Sequence, residues 1–193
     1  MFYIVGLGNP GEKYRNTRHN IGRLVLEDMV DDGWDKNKGA NALYTRKTVG
    51  SEPVELVLPE TYMNRSGETV RYLIDKQEAR LNEMIVIHDD IDLPFGEIKI
   101  AKSRGAGGNN GVTSIIKAIN SKDFVRIRIG IAPTSFWTGK VKRPAGGGPL
   151  ERFVLKPFSV RERSTLPDIY KNVSSAIDAI IIEGIDFAMN RFN

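Results

Sequence analysis

Residues 2–11 read FYIVGLGNPG, in which a short apolar run ends in three closely spaced glycines. The apolar run predicts a buried β-strand, and the glycine spacing matches the G-x-G-x-x-G fingerprint of dinucleotide-binding folds. That fingerprint requires a helix that begins within the glycine motif and packs on the sheet. Residues 12–19 instead read EKYRNTRH, a polar stretch in which only Tyr14 fits a core position. We therefore reject a nucleotide site and expect a tight turn that leaves Asn9 exposed at the end of the strand.

Short strand patterns alternate with helical patterns along the rest of the chain, which predicts an α/β fold. We expect a single domain over residues 1–193, with a twisted mixed β-sheet flanked by helices. The predicted strands cover 2–7, 43–49, 54–58, 84–87, 97–101 and 125–132, and the second and third of them form a hairpin. The predicted helices begin near 21, cover 66–79 and 111–119, and include a C-terminal stripe over 169–181 that Gly184 ends. A stretch rich in Gly, Pro and Lys predicts a mobile surface loop over 134–149.

The composition excludes several kinds of chemistry. The 193 residues contain no cysteine, so neither disulfides nor thiolate nucleophiles are available. Only two histidines, His19 and His88, are present, so a zinc site would have to rely on carboxylates. No run approaches the ~20 apolar residues of a membrane-spanning helix, and the short apolar run after Met1 lacks the basic residues of a signal peptide. We therefore expect a cytoplasmic protein with no zinc site, no dinucleotide cofactor and no membrane-spanning segment.

Basic side chains are concentrated in one segment. Residues 99–143 contain ten Lys and Arg against one acidic residue, Asp123, whereas the rest of the chain contains 18 basic and 23 acidic side chains. A charge run is most often a solvated surface. This one adjoins glycine-rich loops, which favours a polyanion such as a nucleic acid as the partner.

Polar side chains collect in four loops near the ends of predicted strands. In an open α/β sheet, ligands bind in the crevice beyond the carboxyl ends of the strands, so we expect these side chains to share one site. They are Asn9, His19, Asn64, Asp89, Asp90, Asp92, Asn109 and Asn110. A histidine is the natural general base near neutral pH, and a carboxylate such as Asp89 would fix its tautomer. With no cysteine and no G-x-S-x-G motif, the residues favour hydrolysis by an activated water.

Several of these residues also have an ordinary structural interpretation. His19 fits a hydrogen-bonded structural residue as well as a catalyst, and His88, next to a strand, fits a structural role better. Asn20 and Asn110 each precede a predicted helix and fit N-caps.

The run DDIDLPFGE at 89–97 leaves a metal site open as an alternative. Pro94 breaks the EF-hand spacing and no helix precedes the run, so we interpret Asp90 and Asp92 as turn residues. A metal-dependent phosphoesterase that uses these two carboxylates together with Asp89 is the remaining metal hypothesis.

Five stretches of the chain resemble the bacterial-type peptidyl-tRNA hydrolases. They are GLGNPGEKYRNTRHNIG from residue 6, YMNRSG from 62, HDDIDLPFGEIK from 88, GAGGNNG from 105 and RIRIGI from 126. They occur in the family's order and spacing, and the resemblance covers essentially the whole chain. It implies a monomeric, metal-independent enzyme whose partner is peptidyl-tRNA, and which cleaves the ester that joins a peptide to the 3′ end of tRNA.

The resemblance also implies roles for particular residues. His19 is the base that activates water, Asp89 orients it, and Asn9 holds the water or the transition state. The implied substrate-binding set, in which Asn64 and Asn110 bind the peptide backbone, is Tyr14, Tyr62, Met63, Asn64, Asn109 and Asn110. The family's glycine loop usually reads G-H-N-G, and Asn109 stands at the position of that histidine. We expect this departure to alter affinity or pH dependence and to retain the reaction.

In the family a lysine and an arginine clamp the 5′ phosphate of tRNA. Arg128 matches the arginine, but the expected lysine position is Ala101, so we expect Lys99 or Lys102 to substitute for it. The main alternative from another functional class is a non-catalytic RNA-binding relative with the same fold.

Overall fold

The structure, a computed structural model, describes residues 1–30, 33–135, 138 and 140–193. Its strands are β1 (Phe2–Gly6), β2 (Asp35–Asn37), β3 (Ala42–Val49), β4 (Glu52–Pro59), β5 (Met84–Pro94), β6 (Ile98–Lys102) and β7 (Val125–Ala132). Its α-helices are α1 (Ile21–Asp28), α2 (Ser66–Gln77), α3 (Asn110–Ile119), α4 (Gly148–Val154), α5 (Val160–Ile182) and α6 (Ile185–Phe192). Short 3₁₀ turns cover Glu12–Tyr14, Arg18–Asn20, Met63–Arg65 and Leu81–Glu83.

Within these residues the seven strands form one mixed sheet in the order β2-β3-β4-β1-β5-β7-β6. The four central strands, β4, β1, β5 and β7, run parallel, whereas β3 and β6 pair antiparallel at their two sides. The predicted α/β fold, a mixed sheet flanked by helices, is confirmed. Because the parallel strands end at one edge, the loops that follow β1 and β4 meet the end of β5 there, and this edge carries the site.

Helices cover both faces of the sheet, and β5 has apolar residues for each face. Ile85 and Ile87 lie in a core shared with α1 and α5, while Met84 and Val86 lie in a second core shared with α2 and α3. Successive residues of a strand point to opposite faces, so a strand covered on both sides is apolar at every position. This explains the continuous apolar run that predicts the start of β5. None of the described helices is both long and apolar enough to cross a membrane.

Two glycines, Gly6 at the end of β1 and Gly22 in α1, allow the helix to pack closely on the sheet. A Cβ on Gly6 would lie 2.6 Å from the carbonyl oxygen of Gly22, and a Cβ on Gly22 would lie 2.2 Å from that of Ile87. Both positions therefore need glycine for α1 to lie directly against β1 and β5. Gly11 has a φ of +96°, which glycine adopts without strain, and it leads the chain into a 3₁₀ turn. The first α-helix begins only at Ile21, which agrees with the rejection of a dinucleotide site.

The strand β5 is longer than predicted. It continues past Ile87 to Pro94, so Asp90 and Asp92 lie in a strand and the prediction that they are turn residues is wrong. Asp90 pairs with Gly130 of β7, and Arg128 Nε of the same strand donates to Asp90 Oδ2 at 2.7 Å. Beyond Asp90 the pairing shifts in register, and Asp90 Oδ1 accepts from Asp92 N at 2.8 Å.

Three short elements lie outside the predictions: β2, α4 and α6. Each has too few residues to show a clear hydrophobic period. The predicted loop over 134–149 includes residues 136, 137 and 139, which lie outside the described residues. Of the rest, Thr134 pairs with Val141 in an isolated β-bridge, and the last two residues open α4.

The C-terminal helix α5 is longer than its predicted apolar stripe. It begins after Ser159, whose side chain accepts from the backbone N–H of Glu162 in a capping box, and it ends at Ile182. Gly184, at a φ of +93°, follows the end of the helix as predicted.

Candidate active site

His19 and Asp89 form the centre of the site. The turn Arg18–Asn20 carries His19, and β5 carries Asp89. His19 Nδ1 donates a hydrogen bond of 2.9 Å to Asp89 Oδ1, and both side chains are buried. Because the carboxylate only accepts, the bond keeps the proton of the neutral imidazole on Nδ1 and leaves Nε2 as the basic atom.

The two histidines differ in their environments. Burial on its own would lower the pKa of His19, but the negative charge of Asp89 and its hydrogen bond outweigh burial and raise that pKa above its ordinary value. Burial lowers the pKa of His88, whose Nδ1 donates to the backbone carbonyl of Asp89 at 2.8 Å. The pKa of His19 is therefore shifted upward and that of His88 downward, and the roles expected for the two histidines stay predictions.

Asn9 is buried, with 7% of its surface exposed, so the expectation of an exposed side chain is wrong. Asn20 braces its backbone on both sides: Asn20 Oδ1 accepts from Asn9 N and Asn20 Nδ2 donates to Asn9 O, both at 2.9 Å. Asn9 Oδ1 accepts from Met63 N at 2.8 Å, which leaves Nδ2 for a ligand. The N-cap interpretation of Asn20 is also wrong, because its side chain makes no cap to α1.

Asn109, and not Asn110, caps the N-terminus of α3. Asn109 Oδ1 accepts from the backbone N–H groups of Gly111 and Val112, and its Nδ2 donates to Asp89 Oδ1 at 2.8 Å. Asn110 is the first residue of the helix and is exposed, as is Asn64. The cap interpretation therefore belongs one residue earlier than predicted.

The side chains around His19 line one open groove of about 740 Å³, which we call the His19 groove. Its lining includes all the predicted catalytic and substrate-binding residues: Asn9, Tyr14, His19, Tyr62, Met63, Asn64, Asp89, Asn109 and Asn110. Tyr14 and Tyr62 meet edge to face with their ring centroids 6.4 Å apart, and 54% of Tyr62 is exposed.

Part of the groove's lining comes from α4, which the sequence does not predict. Leu150 and Val154 of this helix line the groove together with Leu155. A weak signal exists: Pro149 lies in the first helical positions, and apolar residues follow at helical spacing.

Arg18 ties the turn that carries His19 to the chain between α4 and α5. Its guanidinium forms a two-point ion pair with Glu162, with NH2 to Oε2 at 2.8 Å, and NH1 donates to the carbonyl of Lys156 at 3.1 Å. The guanidinium also lies 4.6 Å from the ring centroid of Phe153. No local pattern singles out Arg18, since Glu162 is 144 residues away in the chain.

A second pocket of about 550 Å³ adjoins the groove, and we call it the basic pocket. The three predicted phosphate-binding residues, Lys99, Lys102 and Arg128, line this pocket. Two more arginines, Arg104 and Arg126, line it as well, together with Ala101. Asp90, Ala106 and Gly107 line both cavities, so the two are direct neighbours. The positive charge of Arg128 is partly balanced within the protein, because Arg128 forms an ion pair with Asp90.

The three carboxylates of the metal hypothesis each have another partner. Asp89 accepts from His19, whereas Asp90 and Asp92 are each paired with an arginine. In the part of the chain that the structure describes, no three His, Cys, Asp or Glu side chains are grouped to hold a metal ion.

The sequence matches the family described as peptidyl-tRNA hydrolase over residues 3–193. The chain belongs to the peptidyl-tRNA hydrolase family. The peptidyl-tRNA hydrolase of Fervidobacterium nodosum is 43% identical over 98% of this chain and 94% of its own length. That of Shouchella clausii is 40% identical over the whole of both chains. The crystal structure of peptidyl-tRNA hydrolase from Acinetobacter baumannii superposes with a TM-score of 0.86 at 28% identity and covers 100% of this chain and 94% of that one.

Membership of the peptidyl-tRNA hydrolase family confirms the resemblance seen in the sequence. The predicted site residues fall into two adjacent cavities, nine in the His19 groove and three in the basic pocket. What each residue does for a peptidyl-tRNA hydrolase stays a prediction.

Proposed function

We propose that the protein hydrolyses the ester that joins a peptide to the 3′ end of tRNA and so releases the tRNA for reuse. Membership of the peptidyl-tRNA hydrolase family supports this activity and does not favour the non-catalytic RNA-binding alternative. The observation that carries the proposal is the buried pair of His19 and Asp89 at the wall of a groove that adjoins a basic pocket.

His19 is the general base of the proposed reaction. Asp89 holds its Nδ1–H, and Nε2 takes a proton from water as the water oxygen attacks the carbonyl carbon of the ester. The tetrahedral intermediate then loses its bond to the ribose oxygen, which receives the proton from Nε2. The peptide leaves with a free carboxyl group and the tRNA with a free 3′ end. Base catalysis of this kind contributes about 10²–10⁴ in rate.

Asn9 is the proposed donor to the developing negative charge. Asn20 fixes the backbone of Asn9, and the hydrogen bond that Met63 N donates to Asn9 Oδ1 holds its side chain before substrate arrives, so Nδ2 needs no reorganisation during the reaction. A fixed donor of this kind is worth about 10²–10³ in rate.

Asn64 and Asn110 are the proposed contacts to the peptide backbone beside the ester. Both are exposed along the groove, and their amides both donate and accept, as a peptide bond does. An N-blocked aminoacyl group offers an amide for this pairing, whereas a free aminoacyl group offers a charged amine. The expected result is preference for the blocked ester. Tyr14 and Tyr62 supply an aromatic wall.

The basic pocket is the proposed site for a tRNA phosphate. Lys99 and Lys102 are half-buried at its wall, and Arg128 adds a third cation. Such side chains give sequence-independent affinity that falls with salt, which suits an enzyme that accepts many tRNAs.

We further propose that the reaction needs no metal ion, and that the protein acts as a monomer in the cytoplasm. The pairing of Asp90 and Asp92 with arginines supports the first of these, because it occupies the carboxylates that a metal would use.

The test compares N-acetyl-aminoacyl-tRNA with the same aminoacyl-tRNA left unblocked, in EDTA, for the wild type and for His19→Ala. Cleavage of the blocked ester by the wild type alone is the expected result. Loss of activity in EDTA contradicts metal independence, and equal turnover by His19→Ala contradicts the assignment of the base. Salt-sensitive binding of tRNA with no cleavage would restore the non-catalytic alternative.

A further inference from the structure

Asn109 uses both ends of its side chain inside the protein. Oδ1 accepts from the backbone N–H groups of Gly111 at 3.0 Å and Val112 at 3.1 Å, at the start of α3. Nδ2 donates to Asp89 Oδ1 at 2.8 Å and lies 3.3 Å from the backbone carbonyl oxygen of Asp89. Only 9% of the residue is exposed, so little of the side chain remains for a substrate.

The neighbours of this amide fix its direction. In the reverse orientation the amide oxygen would face the carboxylate of Asp89, and the NH₂ group would face two backbone N–H groups, and both contacts would be repulsive. An amide is therefore the side chain that fits here, because the position needs an acceptor for the helix and a donor for the carboxylate.

One oxygen of Asp89 connects the histidine to the helix. Asp89 Oδ1 accepts from His19 Nδ1 as well as from Asn109 Nδ2, so rotation of the carboxylate would break both bonds together. We propose that Asn109 is a positioning residue, which holds Asp89 and through it the orientation and tautomer of His19. This inference rests on the proposed function of His19 as the base, and it replaces the substrate-binding role expected for Asn109 from the sequence.

The absence of charge on Asn109 is part of its role. Asp89 is the charged group that acts on His19, and a neutral donor orients that carboxylate without cancelling its charge. A second carboxylate at position 109 would add to the negative field around the imidazole and favour its protonated form.

Two substitutions separate the bond to Asp89 from the capping of α3. Asn109→Ser keeps an N-cap oxygen but is too short to reach Asp89, and Asn109→Asp keeps the cap but replaces the donor with a carboxylate. Asn120→Ala is the matched control. Asn120 ends the same helix at a φ of +51°, is exposed and lines neither cavity, so the change destabilises α3 without touching the site.

The first readout needs no enzymatic activity. The chain has only two histidines, so imidazole ¹⁵N NMR, with His19→Ala for assignment, reports the tautomer and pKa of His19 directly. We expect the Nδ1–H tautomer in the wild type and in Asn120→Ala, and a mixture of tautomers in Asn109→Ser. In Asn109→Asp we expect the pKa of His19 to rise, because a second carboxylate lies near the imidazole. A His19 spectrum that is unchanged in both variants at position 109 overturns the proposal.

The second readout is hydrolysis of N-acetyl-aminoacyl-tRNA. Asn109→Ser is expected to lower kcat about tenfold with little change in KM, as for the loss of a residue that orients a reacting group. In an Asp89→Ala background the same substitution is expected to cost nothing further. If Asn109→Ser raises KM and leaves kcat unchanged, Asn109 binds substrate and the proposal is wrong. The same conclusion follows if Asn109→Ser lowers activity as much in the Asp89→Ala variant as in the wild type. If the wild type cleaves nothing, the proposed function fails, while the NMR readout still decides the role of Asn109.

Discussion

The His19 groove and the basic pocket are neighbours along β5, where Asp89 and Asp90 are consecutive residues, but different interactions hold their side chains. Asp89 serves the groove, where one of its oxygens accepts from His19 and from a neutral amide. Asp90 lines both cavities, and on the side of the basic pocket it pairs with Arg128 while further cationic side chains line the same cavity. Directional hydrogen bonds organise the groove, and an excess of positive charge characterises the pocket.

Arg126 shows that grouping positive charges in the basic pocket is unfavourable for the protein on its own. Its NH1 donates to the carbonyl of Gly105 at 2.8 Å, but among the described residues its buried Nε and NH2 find no hydrogen-bond partner. Burial, and then the nearby charge of Arg128, lower the pKa of Arg126. An anion bound in the pocket would relieve this repulsion. From this difference we expect the proposed chemical step to depend on fixed geometry and the proposed phosphate binding to depend on the electrostatic field.

The largest expected effect comes from a substitution that removes the proposed catalytic base from the groove and leaves the basic pocket unchanged. His19→Ala removes the proposed base, so we expect kcat for N-acetyl-aminoacyl-tRNA to fall by about 10²–10⁴. The affinity for tRNA and its dependence on salt should stay at the wild-type values, because His19 does not line the basic pocket. Single-turnover kinetics and filter binding over a range of salt concentrations measure the two quantities. A parallel loss of tRNA binding would show that the two cavities are not independent.

The next effect concerns the charge within the groove. Asp89 raises the pKa of His19, so Asp89→Asn should lower that pKa and move the acidic limb of the kcat/KM profile to lower pH. We expect kcat at neutral pH to fall about 10–10³-fold, because the tautomer of His19 is no longer fixed. A pH–rate profile of both proteins checks the direction. A limb that moves to higher pH would mean that Asp89 does not act on His19 as its geometry implies.

The same pKa shift predicts a change in stability with pH. Since the pKa of His19 is higher in the folded protein, its contribution to the free energy of unfolding is complete below the ordinary value near 6.5. That contribution disappears as the pH rises through the folded pKa. Urea unfolding across this range should show the extra stability in the wild type and not in Asp89→Asn.

The features of the groove and its sheet that the sequence predicts are those that local patterns encode. His19 comes just before a predicted helix and Asp89 just after a predicted strand, so the residue pattern favours a shared site for the two, and the resemblance to the family implies their pairing. The apolar runs likewise predict the central strands, since a strand covered on both faces has no polar position to blur the pattern.

The supporting contacts escape sequence analysis because their partners are distant or their elements short. Asn20 looks like a helix cap, and only the three-dimensional path of the chain shows that it braces Asn9 instead. Arg18 reaches Glu162 across most of the chain length. The helix α4 is seven residues long, which is too short for its periodicity to stand out from the glycine-rich segment before it.

A smaller effect is expected from substitutions that remove positive charge from the basic pocket and leave the His19 groove unchanged. Lys99→Ala and Lys102→Ala should each raise KM for the blocked ester and reduce the slope of log affinity against log salt by about 1, with kcat unchanged. Lys117→Ala is the control, because this exposed lysine of α3 carries the same charge but lines neither cavity. An equal effect of the control would mean that overall charge, and not the pocket, sets the affinity for tRNA.

The smallest expected effect strengthens the pocket by adding charge. Ala101 is 7% exposed, lies opposite Arg126 in the β6–β7 pairing and lines the pocket. Ala101→Lys should steepen the salt dependence of tRNA binding by about 1 in slope. Ala101→Lys should also lower Tm, because the added positive charge is repelled by the other cations of the pocket. Inorganic phosphate should raise the Tm of this variant again, because an anion that binds the folded protein stabilises it. Ala101→Leu separates bulk from charge, since it fills the same space without steepening the salt dependence. A lysine variant that matches the leucine variant in both measurements would show that the pocket does not receive a phosphate.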